Sequence, residues 1–375
     1  MHRFTIATLT PAFLIALAVW LGGLWPWMAL GYMTLLVFAM DRLIASESDM
    51  QAPDTEFPAA DTLLKSLATL HFILLALCLY AALNLTGPQL ALTLICTGLV
   101  FGQISHPVAH ELIHKHSKLM RLLGRLIYSS LLVGHHASAH LRVHHVHVGS
   151  DKDPNSPRAG EGFYRYALRA TRQSFILGLR EENRARKASA PLWTHPYALY
   201  LGIGLSMFVL FAGFAGAIGA GVFCVVALHA QMQILMSDYV QHYGLRRQTM
   251  PDGSLEPVGP QHSWNAPHWF SSAMMLNATR HSDHHVNPKK AFPSLELKPV
   301  EMPMMPYPLP LMGTIALMPS VWRRLMDRRV GRWTRRPWQK DETNSQDQAT
   351  LAVSKHAQTH SDSFANLAKS GPGAG

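Results

Sequence analysis

Cysteine is scarce in this sequence of 375 residues. The three cysteines, Cys78, Cys96 and Cys224, form no CxxC pair. Because disulfide frameworks, zinc ribbons and cysteine-ligated iron sites all need several closely spaced cysteines, the sequence excludes all three.

Charged residues are also few, at 15% of the chain, and long apolar runs contain almost none of them. This pattern is typical of a membrane protein. Runs close to the ~20 residues that a helix needs to cross a bilayer predict an all-α integral membrane protein with six transmembrane helices. The predicted spans are residues 4–21, 25–40, 67–85, 90–105, 197–212 and 216–236.

The first apolar run has an alternative interpretation as a cleaved signal peptide, because it is short and follows the basic start MHRF. No small-x-small cleavage site follows it, and Trp25-Pro26-Trp27 leads directly into the second run. An aromatic turn of this kind is typical of a membrane interface. We therefore predict a helical hairpin at this end of the chain.

Basic residues are distributed unevenly between the spans. Residues 107–196 and 238–340 each contain 14 Lys and Arg, whereas the turns near 22–24, 86–89 and 213–215 contain none. Since basic loops stay in the cytoplasm, we predict a multi-pass inner-membrane protein with both termini cytoplasmic. The basic face suits either an acidic soluble protein or anionic lipid, and we expect no nucleic acid partner.

The composition changes near Trp338, after which polar residues, Ala and Gly dominate. This change predicts one membrane domain over residues 1–338 and a disordered tail over 339–375.

Histidine is the abundant functional residue, and 18 of the 22 histidines lie between His106 and His285. In HPVAHELIH the histidines recur every four residues, which places them on one face of a helix. They form four groups along the chain: His106, His110 and His114; His140, His144 and His145; His242; and His281, His284 and His285.

Imidazole suits Zn, Cu, Fe and Ni, and one ion takes four to six ligands, so this many histidines predict two metal ions. Two alternatives stay open at this point. The HELIH segment matches the HExxH pattern of zinc proteases, although that leaves the other groups unexplained. A metal transporter is the second alternative, although its histidines should lie along the spans.

Four motifs together, HELIHK, HLRVHH followed by DKDPNSPRAGEG, YVQHYG and RHSDHH, resemble the membrane-bound alkane 1-monooxygenase family. This family lies within the superfamily of integral-membrane fatty acid desaturases and hydroxylases, and the resemblance covers roughly residues 5–335. It implies a cytoplasmic histidine-rich cap that holds two non-haem Fe ions. It also implies O2-dependent hydroxylation of n-alkanes to 1-alkanols, with rubredoxin and rubredoxin reductase as electron donors. The ligands that it implies are His110, His114, His140, His144, His145, His242, His281, His284 and His285.

The chain departs from the family pattern beside these ligands. Ala139 and Val143 replace the usual Glu and Gly, and Asp238 and Gln241 replace the usual Asn and Glu. The ligands are kept while their surroundings differ, so a xylene-monooxygenase-like aromatic methyl hydroxylase and a fatty-acyl desaturase stay open as alternatives.

An all-imidazole site brings no negative charge to the metals, so nearby carboxylates should orient the ring N–H groups. The sequence predicts that carboxylates beside the histidine motifs fill this role. The candidates are Glu111, Asp238 and Asp283, together with Asp151 and Asp153.

Overall fold

A computed structural model describes residues 1–44 and 57–335. Regular structure in these two ranges is helical, apart from two isolated β-bridges. The predicted tail over 339–375 and residues 45–56, between the second and third predicted spans, lie outside the described residues.

Within residues 1–44 and 57–335, four helices are long and apolar enough to cross a membrane. This finding confirms the all-helical membrane class. The four are His2–Leu21 (α1), Pro58–Asn84 (α4), Gly87–His114 and Pro196–His242 (α11). The third comprises Gly87–Val100 (α5), a π-helical turn Phe101–Ser105, and His106–His114 (α6).

The chain reverses direction directly after α1. Gly22 and Gly23 adopt positive φ angles of 62° and 58°, a conformation that glycine takes without steric cost. The helical run that follows returns along α1, because the Tyr32 hydroxyl lies 3.4 Å from the carbonyl oxygen of Ala7. This run contains the predicted second span and consists of Trp25–Gly31 (α2), a π-helical turn Tyr32–Leu36, and Val37–Leu43 (α3).

Helix α11 is interrupted at Ala215 and Gly216, whose backbone angles are not helical. The ring centroids of Phe208 and Phe223 lie 6.4 Å apart, whereas a straight helix would separate them by about 22 Å. The two parts of α11 are therefore antiparallel and form a hairpin. Its turn lies next to the predicted turn at 213–215, between the fifth and sixth predicted spans.

Shorter helices connect and follow these segments, and several carry the clustered histidines. They are Lys118–Ser130 (α7), His135–Ala139 (α8), a π-helical turn His140–His144, His145–His147 (α9), Phe163–Ala185 (α10), Trp269–Met274 (α12), His281–Val286 (α13), Leu309–Ala316 (α14) and Pro319–Trp333 (α15), with 3₁₀ turns at Leu192–Thr194, Pro260–His262 and Phe292–Ser294.

Two contacts fix α6, which carries clustered histidines, and α12, which precedes the histidine helix α13. Gly124 of α7 packs so closely on α6 that an added Cβ would lie 2.8 Å from the Ala109 carbonyl oxygen. Buried Asp41 of α3 accepts hydrogen bonds from the backbone N–H groups of Phe270 and Ser271, at 2.8 and 3.0 Å. A carboxylate at a helix N-terminus satisfies donors that otherwise have no partner, and it stabilises the helix by about 1 kcal/mol. The N-terminal hairpin thereby holds the start of α12.

The residues from Met1 to Asp327 form one compact unit, and a second unit begins at Arg328. The second unit is described only up to residue 335. The single domain over residues 1–338 stays a prediction.

Candidate metal centre

Four segments that are distant in sequence bring all nine predicted histidines together. They are α6, the π-helical turn with the start of α9, the C-terminal end of α11, and α13. The nine divide into two groups, each with potential ligand atoms within 4.8 Å of one another. The five-histidine group contains His110, His114, His140, His145 and His284, and the four-histidine group contains His144, His242, His281 and His285.

In each group the Nε2 atoms of three histidines lie close together. His145 Nε2 lies 2.9 Å from His140 Nε2 and 3.2 Å from His284 Nε2. In the four-histidine group, His281 Nε2 lies 3.0 Å from His242 Nε2 and 3.1 Å from His285 Nε2. A ring nitrogen has a single in-plane direction for bonding and cannot direct it at two neighbours at once. Metal–nitrogen bonds of about 2.0–2.1 Å place adjacent ligand atoms about 3 Å apart, so these distances fit two metal ions.

Several of these nitrogen atoms have no hydrogen-bond partner among the described residues. The Nε2 atoms of His110, His114 and His144 are buried and unpaired. An unpaired buried polar atom costs about 1–3 kcal/mol, and a metal ion at the centre of each group would remove that cost. The donor set fits the metal that the sequence predicts.

Burial also keeps the histidines in the form that binds metal. Desolvation, followed by repulsion from neighbouring imidazoles, lowers the pKa of His140 and His145 well below the usual 6.5. The same causes lower the pKa of His281, His284 and His285. The rings are therefore neutral near pH 7, and neutral imidazole is the ligand form.

The π-helical turn His140–His144 determines which histidine joins which group. An α-helical spacing predicts that His140 and His144 act together, and their rings are indeed neighbours, with centroids 5.2 Å apart. In the wider π turn, however, His140 pairs with His145, five residues later, and His144 joins the four-histidine group. The histidine spacing was interpreted with the α-helical period of 3.6 residues, which does not reveal this wider turn.

Asp153 is the carboxylate that contacts a clustered histidine directly. Its Oδ2 atom accepts a hydrogen bond from His144 Nδ1 at 2.9 Å and another from the Ser156 hydroxyl at 2.6 Å. Burial opposes both charges, but the attraction between them dominates and raises the pKa of His144 while lowering the pKa of Asp153. Because Nδ1 carries the proton, Nε2 is left free to bind a metal.

The other predicted carboxylates have different partners. Asp238 accepts a hydrogen bond from Asn155 Nδ2 at 2.6 Å, and Asp283 contacts Lys290 Nζ at 2.9 Å. Glu111 is buried. None of these three accepts a hydrogen bond from a clustered histidine within the described ranges. Asp151 is exposed and pairs with Arg158.

Two further histidines and a tyrosine border the five-histidine group. His106 Nδ1 lies 3.0 Å from the Tyr128 hydroxyl, and His136 stacks on His140 with ring centroids 5.4 Å apart. The four-residue spacing marked His106, and the sequence contains the same spacing between His136 and His140, although His136 was not among the predicted site residues. Tyr128 stands in no metal-ligand pattern. The proximity of His136 and Tyr128 to the site arises from the packing of α7 and α8 beside α6.

A cavity of about 240 Å³ lies among the segments that lead into both groups. One wall comes from residues 99–103, which precede α6, and another from residues 229–237, which precede His242. Met275, six residues before His281, and helix α14 complete the lining. Three of the segments that line the cavity therefore continue along the chain into segments that carry clustered histidines.

A model of the fatty acid desaturase family matches residues 85–315, which include all nine histidines. The chain belongs to the fatty acid desaturase family. This result confirms the superfamily that the motifs predicted.

Individual relatives narrow the comparison within the fatty acid desaturase family. The chain is 32% identical to alkane 1-monooxygenase 1 of Pseudomonas aeruginosa over 240 residues, 63% of each protein. It is 28% identical to alkane 1-monooxygenase 2 of the same organism over 320 residues, 82% of this chain and 84% of the relative. It is 26% identical to a xylene/toluene monooxygenase hydroxylase component of Pseudomonas putida over 225 residues, 59% of this chain and 58% of the relative. These relatives confirm the resemblance and the predicted class of enzyme, a monooxygenase.

Proposed function

We propose that this protein hydroxylates the terminal carbon of n-alkanes, using O2 and two iron ions. The observation that carries the proposal is the pair of all-imidazole groups lying side by side. The rings of His145 and His285, one from each group, have centroids only 4.7 Å apart. Such a pair is suited to two metal ions that act on one substrate.

Each group would hold one iron ion through its Nε2 atoms. When bound, the two ions supply the reductive activation of O2: one terminal C–H bond, O2, two external electrons and two protons give one C–OH bond and one water. The iron identity rests on the relatives, because imidazole alone also suits zinc and copper.

The protein's own residues prepare the site for this chemistry. Asp153 fixes the tautomer of His144 and places one negative charge behind the four-histidine group. Burial keeps the imidazoles other than His144 neutral and shields the four-histidine group from water. Exclusion of water limits side reactions of activated oxygen.

The 240 Å³ cavity is the candidate site for the hydrocarbon chain. Leu99, Met232, Met236 and Met275 line it together with Leu309 and Leu317. An alkane has no polar group that the protein could bind, so the shape of the apolar cavity wall has to position it. Because the walls continue into the histidine segments, a chain bound here points one end toward the metal ions.

The finer topology and the partners belong to the same proposal. The hairpins at Gly22–Gly23 and at Ala215–Gly216 support six spans. The basic loops support a cytoplasmic cap and cytoplasmic termini in the inner membrane. A rubredoxin, reduced by its reductase, would deliver electrons to the basic face, and anionic headgroups would also contact that face.

The test is product analysis in cells that make this protein together with a rubredoxin and its reductase. The cells are fed a medium-chain alkane, a long-chain alkane and xylene together, with a His281→Ala strain as the control. A 1-alkanol that is absent from the control is the expected result. An alkanol produced equally by the control would contradict the site.

The xylene/toluene relative supplies a second candidate substrate, an aromatic methyl group. Aromatic alcohol without alkanol would assign the protein to that branch. An alkene formed from an acyl chain would instead indicate a desaturase. A zinc protease built on His110 and His114 alone is disfavoured, because those histidines converge with histidines from two other segments.

A further inference from the structure

A groove of about 730 Å³ lies between α10 and the first half of α11, and its lining includes none of the nine clustered histidines. The turn between α7 and α8 forms its third side. The residues that the first half of α11 contributes form two neighbouring rows with a spacing of four residues, so they share one face of the helix. They are Tyr200, Leu201, Gly204, Leu205 and Phe208. Because this helix is apolar enough to cross a membrane, the groove extends into the hydrocarbon region of the bilayer.

Contacts between the three sides hold the groove in shape. The Tyr197 hydroxyl donates a hydrogen bond to the Phe175 carbonyl oxygen at 2.8 Å, which joins the start of α11 to α10. The turn between α7 and α8 packs so closely on α11 that an added Cβ at Gly134 would lie 2.6 Å from Tyr200 Cβ. The groove is therefore preformed, as ligand sites usually are.

The α10 side of the groove carries a positive charge that no acidic group compensates. Arg172 lines the groove, and no acidic residue among the described residues does so. Within the same ranges, the Arg172 guanidinium has no ion pair and no hydrogen bond. By contrast, Arg169 and Arg184 on the same helix pair with Glu161 and Glu181. An unpaired guanidinium favours an anionic ligand, because it attracts negative charge and donates several hydrogen bonds.

The apolar part of the groove extends away from this charge. Helix α10 meets α11 at Tyr197, and Phe208 lies 11 residues further along α11, which corresponds to about 16 Å of helix. Between them, Leu201 and Leu205 line the groove with exposed side chains. A ligand that fills the whole groove therefore needs an anionic group at one end and a long apolar part.

A phospholipid has this arrangement of groups. Basic pockets beside membrane helices on the cytoplasmic side bind anionic headgroups, and the forked guanidinium of arginine matches the geometry of a phosphate. A soluble partner protein could not reach Phe208 within the span. An uncharged hydrocarbon would leave Arg172 without a partner.

We propose that this groove binds an anionic diacyl phospholipid such as phosphatidylglycerol, with its phosphate at Arg172 and one acyl chain along Leu201, Leu205 and Phe208. The proposed function involves only a general attraction of headgroups to the basic face, whereas this inference assigns one lipid molecule to a defined site.

The lipid would also support the metal centre indirectly. His135, the first residue of α8, lines the groove, and α8 leads directly into the π-helical turn His140–His144. Helix α10 in turn packs on α8, since an added Cβ at Gly178 would lie 3.2 Å from the Ala139 backbone nitrogen. A lipid that holds α10 against α11 therefore stabilises the segment that carries clustered histidines.

The test measures which lipids the purified, iron-loaded protein retains in native mass spectrometry. The protein is kept in detergent that contains equal amounts of phosphatidylglycerol and phosphatidylcholine, and one bound phosphatidylglycerol is the expected result. Arg172→Gln should weaken its binding about fivefold, equivalent to about 1 kcal/mol for one basic residue. Arg165→Gln is the matched control, because Arg165 lies seven residues earlier on α10, exposed and outside the groove.

A second pair of variants tests the apolar part of the groove. Leu205→Trp fills it and should abolish retention of phosphatidylglycerol. Leu210→Trp makes the same substitution on the same half of α11 outside the groove and should bind the lipid like the wild type. Added phosphatidylglycerol should raise the Tm of the wild type and of Leu210→Trp by several degrees, and the Tm of Arg172→Gln and Leu205→Trp by less.

Four outcomes would overturn the inference. They are equal retention of the two lipids by the wild type, an equal loss of phosphatidylglycerol in Arg165→Gln and Arg172→Gln, an equal rise in Tm with free glycerol 3-phosphate, and a lipid-free dimer that Leu205→Trp dissociates. The last would mean that a second copy of the chain occupies the groove. None of these measurements needs turnover, so their result is independent of the proposed reaction.

Discussion

The two histidine groups use the same ligand chemistry in different surroundings. All members of the four-histidine group are buried, and Asp153 lies directly behind His144. In the five-histidine group, His114 and His145 are only partly buried. No carboxylate among the described residues accepts a hydrogen bond from that group. One metal position is therefore enclosed and charge-compensated, while the other is neutral and more accessible.

This difference indicates that the two metal positions have different roles. A carboxylate that orients a ligand raises metal affinity, so the enclosed position should bind its ion more tightly. The accessible position is the better candidate for the approach of O2 and of electrons, because its ligands reach solvent. We expect the two ions to differ in affinity even though every ligand is an imidazole.

The largest expected effect comes from removing one ligand in each group. His242→Ala and His114→Ala should each abolish hydroxylation, because the reaction needs both ions. Iron per chain should fall to about half in each variant, since each substitution empties one site. Iron analysis by mass spectrometry, alongside membrane insertion of both variants, measures this. Full iron loading in either variant would remove its histidine from the ligand set.

Asp153→Asn should have the next largest effect and should act on the four-histidine group alone. Loss of a carboxylate behind a ligand typically lowers metal affinity or activity by about 10- to 100-fold. Asp151→Asn is the matched control, because Asp151 is two residues away but exposed and paired with Arg158. Chelator titrations should release one iron more easily in Asp153→Asn and neither in Asp151→Asn. Equal release of both irons would contradict the separation of the two groups.

A histidine outside both groups provides a reference for the effect of burial alone. Burial lowers the pKa of His135 to about 4, and its ring packs against Phe175. In the unfolded chain its pKa is about 6.5. The unfolded state thus binds the proton first, and the stability that neutral His135 contributes above pH 6.5 is lost as the pH falls toward 4.

His135→Gln should therefore reduce the loss of thermal stability between pH 7.5 and pH 5. The expected reduction is about 1–3 °C in Tm, since about 1 kcal/mol corresponds to roughly 2–4 °C in a protein of about 150–250 residues and to less in a longer chain. Thermal unfolding of both proteins at the two pH values measures this reduction. An unchanged pH dependence would mean that His135 is accessible to protons in the folded state.

The sequence predicts much of this architecture because its signals are local. Apolar runs marked the membrane helices, and the breaks between these runs marked the turns near 22–24 and 213–215. The histidine motifs marked the nine clustered residues. The grouping could not be predicted, because it depends on a π-helical turn at His140–His144 and on contacts between distant segments.

The carboxylates show that proximity in sequence does not predict which acidic residue contacts a clustered histidine. Asp283 lies between two clustered histidines in the sequence, and Asp153 lies nine residues after His144, yet Asp153 makes the contact. On α13 the Asp283 side chain instead accepts hydrogen bonds from Lys290 Nζ and from the backbone N–H of Glu296, at 2.9 and 2.7 Å. It therefore anchors the following loop.

Asp283→Asn should consequently have the smallest effect of the series. The asparagine oxygen can still accept the backbone hydrogen bond, and only the ion pair with Lys290 is weakened. Weakening this ion pair should lower the free energy of unfolding by about 1 kcal/mol or less, because Lys290 also contacts Glu296. We expect a slightly lower Tm with unchanged iron content and unchanged chelator release. A loss of iron comparable to that in Asp153→Asn would show that Asp283 also supports the ligands, and the two groups would then be alike in having carboxylate support.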